Sequence, residues 1–309
     1  MEDDIVMIGK FNSQTWLSQA LPQYRTAMAM VGVTEGIETA YGKCYVDKET
    51  ESENSTLQRN LIQSKVMCFN KMYIAFMFRR FSTTKELAEI FFRYHPRLFT
   101  FLVGDMMNIF YGGLVSFWVA RKTEIFFWFK QGEMALSTFK GWAESSQVCR
   151  LKLLFLNLSF DAFLFSYCEN LVIFQFSQWN FLNKLQLLEA EKYYCLRDIE
   201  KAKFFYNASI SSATNHKFIH EEALSCELAG YFFSEELGQA DLALSYFMRA
   251  HNKYTEWGAF AKVNALFQFI NGSIGASISA SASTVTQWTE TSGEDSNVGK
   301  RSYTHRYPE

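Results

Sequence analysis

Two stretches 41 residues apart carry the same helical pattern. In "EKAKFFYNASI" the residues Ala202, Tyr206 and Ser209 follow one another at spacings of four and three, and in "ADLALSYFMRAHNKY" Ala243, Phe247 and Ala250 do the same. Those spacings put three side chains on one face of an α-helix. Small residues at the ends admit a neighbouring helix closely, and the ring between them fills the groove. Ahead of the second copy, "IHEEALSCELAGYFF" reads as a partner helix with Ala223, Leu228, Ala229 and Phe232 facing inward. Leu237 and Gly238 read as the turn, because glycine accepts the positive φ that ends a helix. Such a helix-turn-helix unit cannot bury its apolar face alone and forms a core by stacking on copies of itself.

An earlier copy stands in "GLVSFWVARKTEIFFWFKQGEMALSTFKGWAE", where Ala135, Phe139 and Trp142 keep the four-three spacing behind Gly132. A fainter one ends in "TKELAEIFFRYHP", with Ala88 and Phe92. Only three prolines occur in 309 residues, so few breakers interrupt long helices. The expectation is an all-α protein, an α-α superhelix of tetratricopeptide-like helical hairpins. Its parts are an N-terminal helical region over 1–60 with a partly disordered loop near 48–57, a repeat array over 61–270 with an atypical insert at 148–178, and a disordered tail over 271–309. The tail, "NGSIGASISASASTVTQWTETSGEDSNVGK", is too rich in Ser, Thr and Gly to bury a core.

The pitch is broken once. Ala202 follows Ala135 by 67 residues, too many for one unit and too few for two. Removing residues 148–178, "VCRLKLLFLNLSFDAFLFSYCENLVIFQFSQ", would leave 36, an ordinary pitch. A Val codon begins GT, a Gln codon can end AG, and the Phe-rich run before Gln178 implies thymine-rich sequence, all of which suits a retained intron. The segment reads equally as an extra buried hairpin, and as a minority reading it is a membrane element over 151–182. Against a membrane span, Asp161 sits mid-run, and an aspartate at the centre of a span costs about 2.5–3.5 kcal/mol.

"YGGLVSFWVARKT", "FLNKLQLLEAEKYYCLRDIEKAKFFYNASISSA", "HKFIHEEALSCELAGYFF" and "ALSYFMRAHNKYTEWGAFAKV" together resemble the tetratricopeptide-like segment of large multi-sensor signalling kinases of the AAA-type ATPase and histidine kinase family. The resemblance is close over 109–147 and 179–270 and looser over 60–108. It implies a regulatory segment lying between catalytic regions, and hence a piece of a longer gene product. The family's catalytic motifs are missing from this sequence: there is no HRD or DFG tripeptide, and "GEDSNVGKRS" at 293–302 departs from a phosphate loop in its spacing and in Arg301.

Other constellations give way to plainer readings. Lys plus Arg number 30 against 32 Asp plus Glu, so no overall field favours nucleic acid. Trp118, Trp128, Trp142, Trp179 and Trp257 therefore read as core rather than as a base-stacking platform. His216 and His220 in "NHKFIHEE" could share a helix face as in zinc sites, but Asn215 or His216 at a helix mouth, with Glu221 and Glu222 in its first turn, reads better as a cap. His95 reads as a helix end and His251 as solvent-facing. The acidic N-terminus "MEDDIVMIGK" lacks a secretory pattern, so Cys44, Cys68, Cys149, Cys168, Cys195 and Cys226 are expected reduced in a cytoplasmic setting. No catalytic, cofactor-binding or metal-binding residue is assigned. The expected function is a non-catalytic interaction or regulatory module that holds a protein or peptide in its concave groove.

Overall fold

The computed structural model describes residues 14–32, 54–94, 102–155 and 178–274. Among them the protein is all-α: α1 (Gln14–Val31), α2 (Asn54–Met77), α3 (Phe81–Tyr94), α4 (Leu102–Thr123), α5 (Phe126–Phe155), α6 (Gln178–Cys195), α7 (Ile199–Asn215), α8 (Ile219–Glu235), α9 (Ala240–Trp257) and α10 (Phe260–Phe269), with a π-helical turn over Ile270–Ile274. Helix α2 crosses the expected boundary at residue 60 and begins inside the stretch expected to be a loop. Helix α5 runs eight residues into the suspected insert. Residues 156–177 and 275–309, which hold the remainder of that segment and most of the expected tail, lie outside the described residues.

Successive helices pair as antiparallel hairpins: α2 with α3, α4 with α5, α6 with α7, and α8 with α9. Their first helices also touch in sequence, α2 to α4, α4 to α6 and α6 to α8. The hairpin turns share one device. Arg79, Glu124, Arg197 and Gly238 each stand two residues before a second helix, with φ of 56°, 59°, 58° and 62°. Gly238 is the turn glycine anticipated from the sequence. The other three turns use residues with a Cβ, which the left-handed region tolerates at some cost in strain.

Measured from these turns, the repeat register differs from the sequence reading in one hairpin. Ala202 and Ala243 each stand five residues after the turn residue, whereas Ala135 stands eleven after Glu124, and Phe129 occupies the fifth place. Gly132 is not a turn but a packing site inside α5, where a Cβ would lie 2.6 Å from the Phe117 ring of α4. The ring thus enters from the first helix rather than the second. Gly230 of α8 receives Phe247 of α9 in the opposite sense, at 2.7 Å. Turn to turn, Arg197 follows Glu124 by 73 residues and Gly238 follows Arg197 by 41, an excess of 32 that falls on the hairpin containing residues 148–178. Trp142 and Phe181, on either side of that segment, sit 5.9 Å apart between ring centres.

The core lies along the first helices. Phe110–Ala120 of α4 and Glu221–Phe233 of α8 are buried without interruption. A helix covered on every side belongs to the interior. Along these two helices, therefore, the expected inner face of exposed contact residues is not formed. The cover on α8 includes α10: the Phe269 ring lies tilted against Tyr231, 5.1 Å between ring centres, and Lys262 reaches Glu227. The same Lys262 bonds the Met77 carbonyl at the end of α2, and Ala261 lies against Gly32 at the end of α1. The two ends of the row of hairpins meet.

Gly230→Ala and Ala243→Leu are each expected to lower stability by about 1–3 kcal/mol through overpacking, which a thermal melt reads as a fall of several degrees; unchanged melting would contradict the register. Joining Gln147 to Trp179 is expected to preserve helical circular dichroism and a single cooperative melt, whereas loss of the transition would show that residues 148–178 are integral to the fold.

Candidate binding site at the turn end

Three hairpin turns converge on a cavity of about 360 Å³. Helix α4 brings Arg121 and Lys122 from its last turn, α6 brings Tyr194 and Cys195 with Arg197 just beyond, and α8 brings Glu235 with Glu236. Basic residues at the C-terminal ends of α4 and α6 complement the partial negative charge of the free carbonyls there. Arg121 is held firmly. Its Nη1 lies 2.5 Å from Glu191 Oε2, its guanidinium stacks 4.0 Å from the Tyr194 ring, and Tyr206 donates to the other Glu191 oxygen at 2.5 Å. Burial alone would lower the pKa of Arg121, but the Glu191 carboxylate overrides it and holds the group well above its ordinary value.

The other two cations are held loosely. Lys122 pairs with Glu235 at 3.0 Å and Arg197 with Glu236 at 3.0 Å, and both pairs are substantially open to solvent. Exposed pairs of this kind contribute about 0–1 kcal/mol each. Cys195 closes the inner wall, donating its thiol to the Phe117 carbonyl at 3.3 Å; burial pushes that thiol up to about 12, so it stays protonated and unreactive at neutral pH.

Along α8 the protein carries further buried carboxylates. Glu227 accepts from Lys262 at 2.6 Å and from Tyr254 at 2.8 Å, and all three side chains are inaccessible to solvent. Burial lowers the pKa of Lys262, and the neighbouring Glu227 opposes that shift. Glu221 pairs with Lys184 at 2.6 Å and lies 2.9 Å from His220 Nδ1. Burial works against its charge, yet His220 and Lys184 prevail and hold it at about 2. Glu222 takes Arg249 at 2.7 Å. Glu221 and Glu222 stand in the first turn of α8, as the sequence pattern indicates, and the structure adds that both are interior ion-pair partners.

The cap assigned to Asn215 or His216 is corrected. His216 closes the C-terminus of α7, bonding the Ser212 carbonyl, and the N-cap of α8 is Phe218, which has no side-chain cap bond. Lys217 at φ 59° separates His216 from His220, so the two imidazoles belong to different helices. His220 stacks on Trp257 instead, at 5.2 Å. Of the repeat positions, Ala135, Phe139, Ala202, Tyr206, Ser209, Leu228, Ala229, Phe232, Ala243, Phe247 and Ala250 are buried, and Trp142 is half-buried against Phe139 and Phe181. They serve packing and do not line the cavity. No sequence motif marked the cavity residues, because they come from three separate turns.

Comparison of the chain with protein-family models, with curated proteins and with solved structures finds no match. Among the described residues no group of His, Cys, Asp and Glu is arranged to hold a metal ion, and no helix is long and apolar enough to cross a membrane. The free cysteines described, Cys68, Cys195 and Cys226, are all buried.

Lys262→Met should cost about 3–5 kcal/mol, because it leaves a buried carboxylate without its cation, and Lys262→Met combined with Glu227→Gln should recover part of that loss in urea titrations. Recovery of nothing would separate the two residues energetically. Glu221 binds its proton more weakly when folded than when unfolded. Its contribution is therefore complete above about pH 4.5 and lost as the pH falls toward about 2. Acid melts of Glu221→Gln should lack that component of the pH slope.

Proposed function

We propose that this chain is a non-catalytic, tetratricopeptide-like helical-repeat module that recognises another polypeptide, in keeping with its resemblance to the repeat segment of multi-sensor signalling kinases. What supports the repeat reading is the pairing of consecutive helices into hairpins whose first helices stack in order, each with a left-handed residue two places before its second helix. Neighbour-to-neighbour stacking of this kind builds an extended surface, and with α8 covered by α10 the side chains at its edges are the ones left for recognition.

The observation that carries the function is the turn-end cavity. It is assembled from three successive hairpins, and its rim charges form exposed pairs that a partner can exchange at little cost. These features support a partner surface at the turn end. The face of α8 is less available, because the chain's own α10 covers it. A membrane-anchored reading draws on the apolar run at 151–168, and extraction by carbonate as opposed to detergent separates it from this one.

A photo-crosslinking residue in place of Gln239, exposed in the turn between α8 and α9, is expected to capture a discrete polypeptide in cells, and the same residue in place of Lys85 on α3 is not. Equal capture from both positions, or none from Gln239, would contradict the turn-end assignment.

A further inference from the structure

The contents of the turn-end cavity indicate what it accepts. Its rim holds two carboxylates, Glu235 and Glu236, supplied by the chain itself and seated on Lys122 and Arg197. A third carboxylate, Glu191, sits on Arg121 at the inner wall. Each cation of the cavity thus already displays the geometry of a carboxylate complex. The inner pair is buried and fixed, while the two outer pairs are open to solvent, so an incoming oxyanion can replace the outer carboxylates without exposing the interior.

A second observation comes from one helical turn deeper. Trp118 and Lys122 are four residues apart on α4, and Tyr231 and Glu235 are four apart on α8, so each pair shares a helix face. Between Trp118 and Tyr231 the Arg79 guanidinium is clamped at 4.0 Å from one ring and 4.2 Å from the other. Arg79 Nη1 and Trp118 Nε1 are buried donors with no hydrogen-bond partner, and Trp118 is 4% exposed. Below the Lys122–Glu235 pair, therefore, the protein keeps a fixed positive charge and two N–H groups that want an acceptor.

We propose that the turn-end cavity is an oxyanion site for an acidic or phosphorylated segment of a polypeptide, with Lys122 and Arg197 as the exchangeable ligands and Arg121 and Arg79 supplying fixed positive charge behind them. Glu235 and Glu236 are internal stand-ins that hold the site closed until a carboxylate or phosphate group displaces them. This deepens the turn-end reading and rests on it for the polypeptide. The oxyanion chemistry can be measured with small ions alone.

The test is titration of the full chain with sodium phosphate, sodium acetate and sodium chloride at matched ionic strength, followed by backbone amide resonances of residues 121–124, 195–198 and 235–238 and by the indole resonance of Trp118. Saturable shifts with phosphate or acetate but not chloride are expected. Glu235→Gln combined with Glu236→Gln should tighten binding by about fivefold, since removing the stand-ins frees both cations, and Lys122→Gln combined with Arg197→Gln should abolish it. Tighter phosphate than acetate binding would identify a phosphorylated source, and comparable binding an acidic one. All four substitutions fall on exposed pairs, and retained dispersion of the amide spectrum confirms folding in each variant. Absence of saturable shifts in the variant combining Glu235→Gln and Glu236→Gln, or their persistence without Lys122 and Arg197, would overturn the proposal. That result together with turn-end crosslinking would remove the oxyanion chemistry and leave the polypeptide reading standing.

Discussion

The structure turns on the ion pair between Lys262 and Glu227. It lies wholly inside the protein, with Tyr254 donating to the second carboxylate oxygen and the Met77 carbonyl accepting from the ammonium group. One side chain thereby joins the last helix to the end of α2 and to the centre of α8. A row of hairpins without that contact would have two open ends and an uncovered face on its first helices. With it, α8 is enclosed along thirteen consecutive residues, four of them serine or glutamate. Enclosing a helix with this many polar groups is stable only if each finds a partner. Glu221, Glu222, Ser225 and Glu227 find theirs in Lys184, Arg249, Ser209 and Lys262, contributed by α6, α9, α7 and α10. Removing Lys262 leaves the Glu227 charge stranded in the interior, whereas Glu221 and Glu222 each keep a second basic neighbour in His220 and Lys253.

That economy bears on the recognition proposed above. The acids of α8 face other helices of the same chain, and the thiols of Cys195 and Cys226 are held protonated by burial, each pushed up to about 12. Charges free to change partners are found at the edge, where Lys122, Arg197, Glu235 and Glu236 meet in weak solvent-exposed pairs. A rigid interior with exchangeable charges at one end suits a recognition surface. It positions contact groups from three hairpins at fixed separations without calling on any covalent chemistry.

The helical class was legible in the sequence because small and aromatic residues at spacings of four and three line up only on a helix, where they form a face suited to close packing. The Gly238 turn was legible because glycine marks a left-handed residue. The equivalent turns at Arg79, Glu124 and Arg197 were not, since nothing local distinguishes an arginine or glutamate bound for positive φ from its neighbours on a helix. That is why the sequence register of α5 falls six residues too far along, and why the cap of α8 is assigned to Asn215 or His216 when Lys217 turns the chain and Phe218 takes that place. The meeting of the two ends was also out of reach. Gly32 and Ala261 have no shared pattern, and a lysine at position 262 looks like any solvated helix residue until the carboxylate at 227 is known to lie beneath it. The cavity was hidden for the same reason, its residues being ordinary helix ends brought together only by stacking.

Native-state hydrogen exchange tests the closure most directly. If Lys262 locks the two ends of the row together over α8, amides of α10 from Lys262 to Phe269 and amides of α8 will exchange with the same free energy, at the level of global unfolding. Fast exchange along α10 while α8 remains protected would show that the last helix opens independently, and would contradict the account of a single closed body.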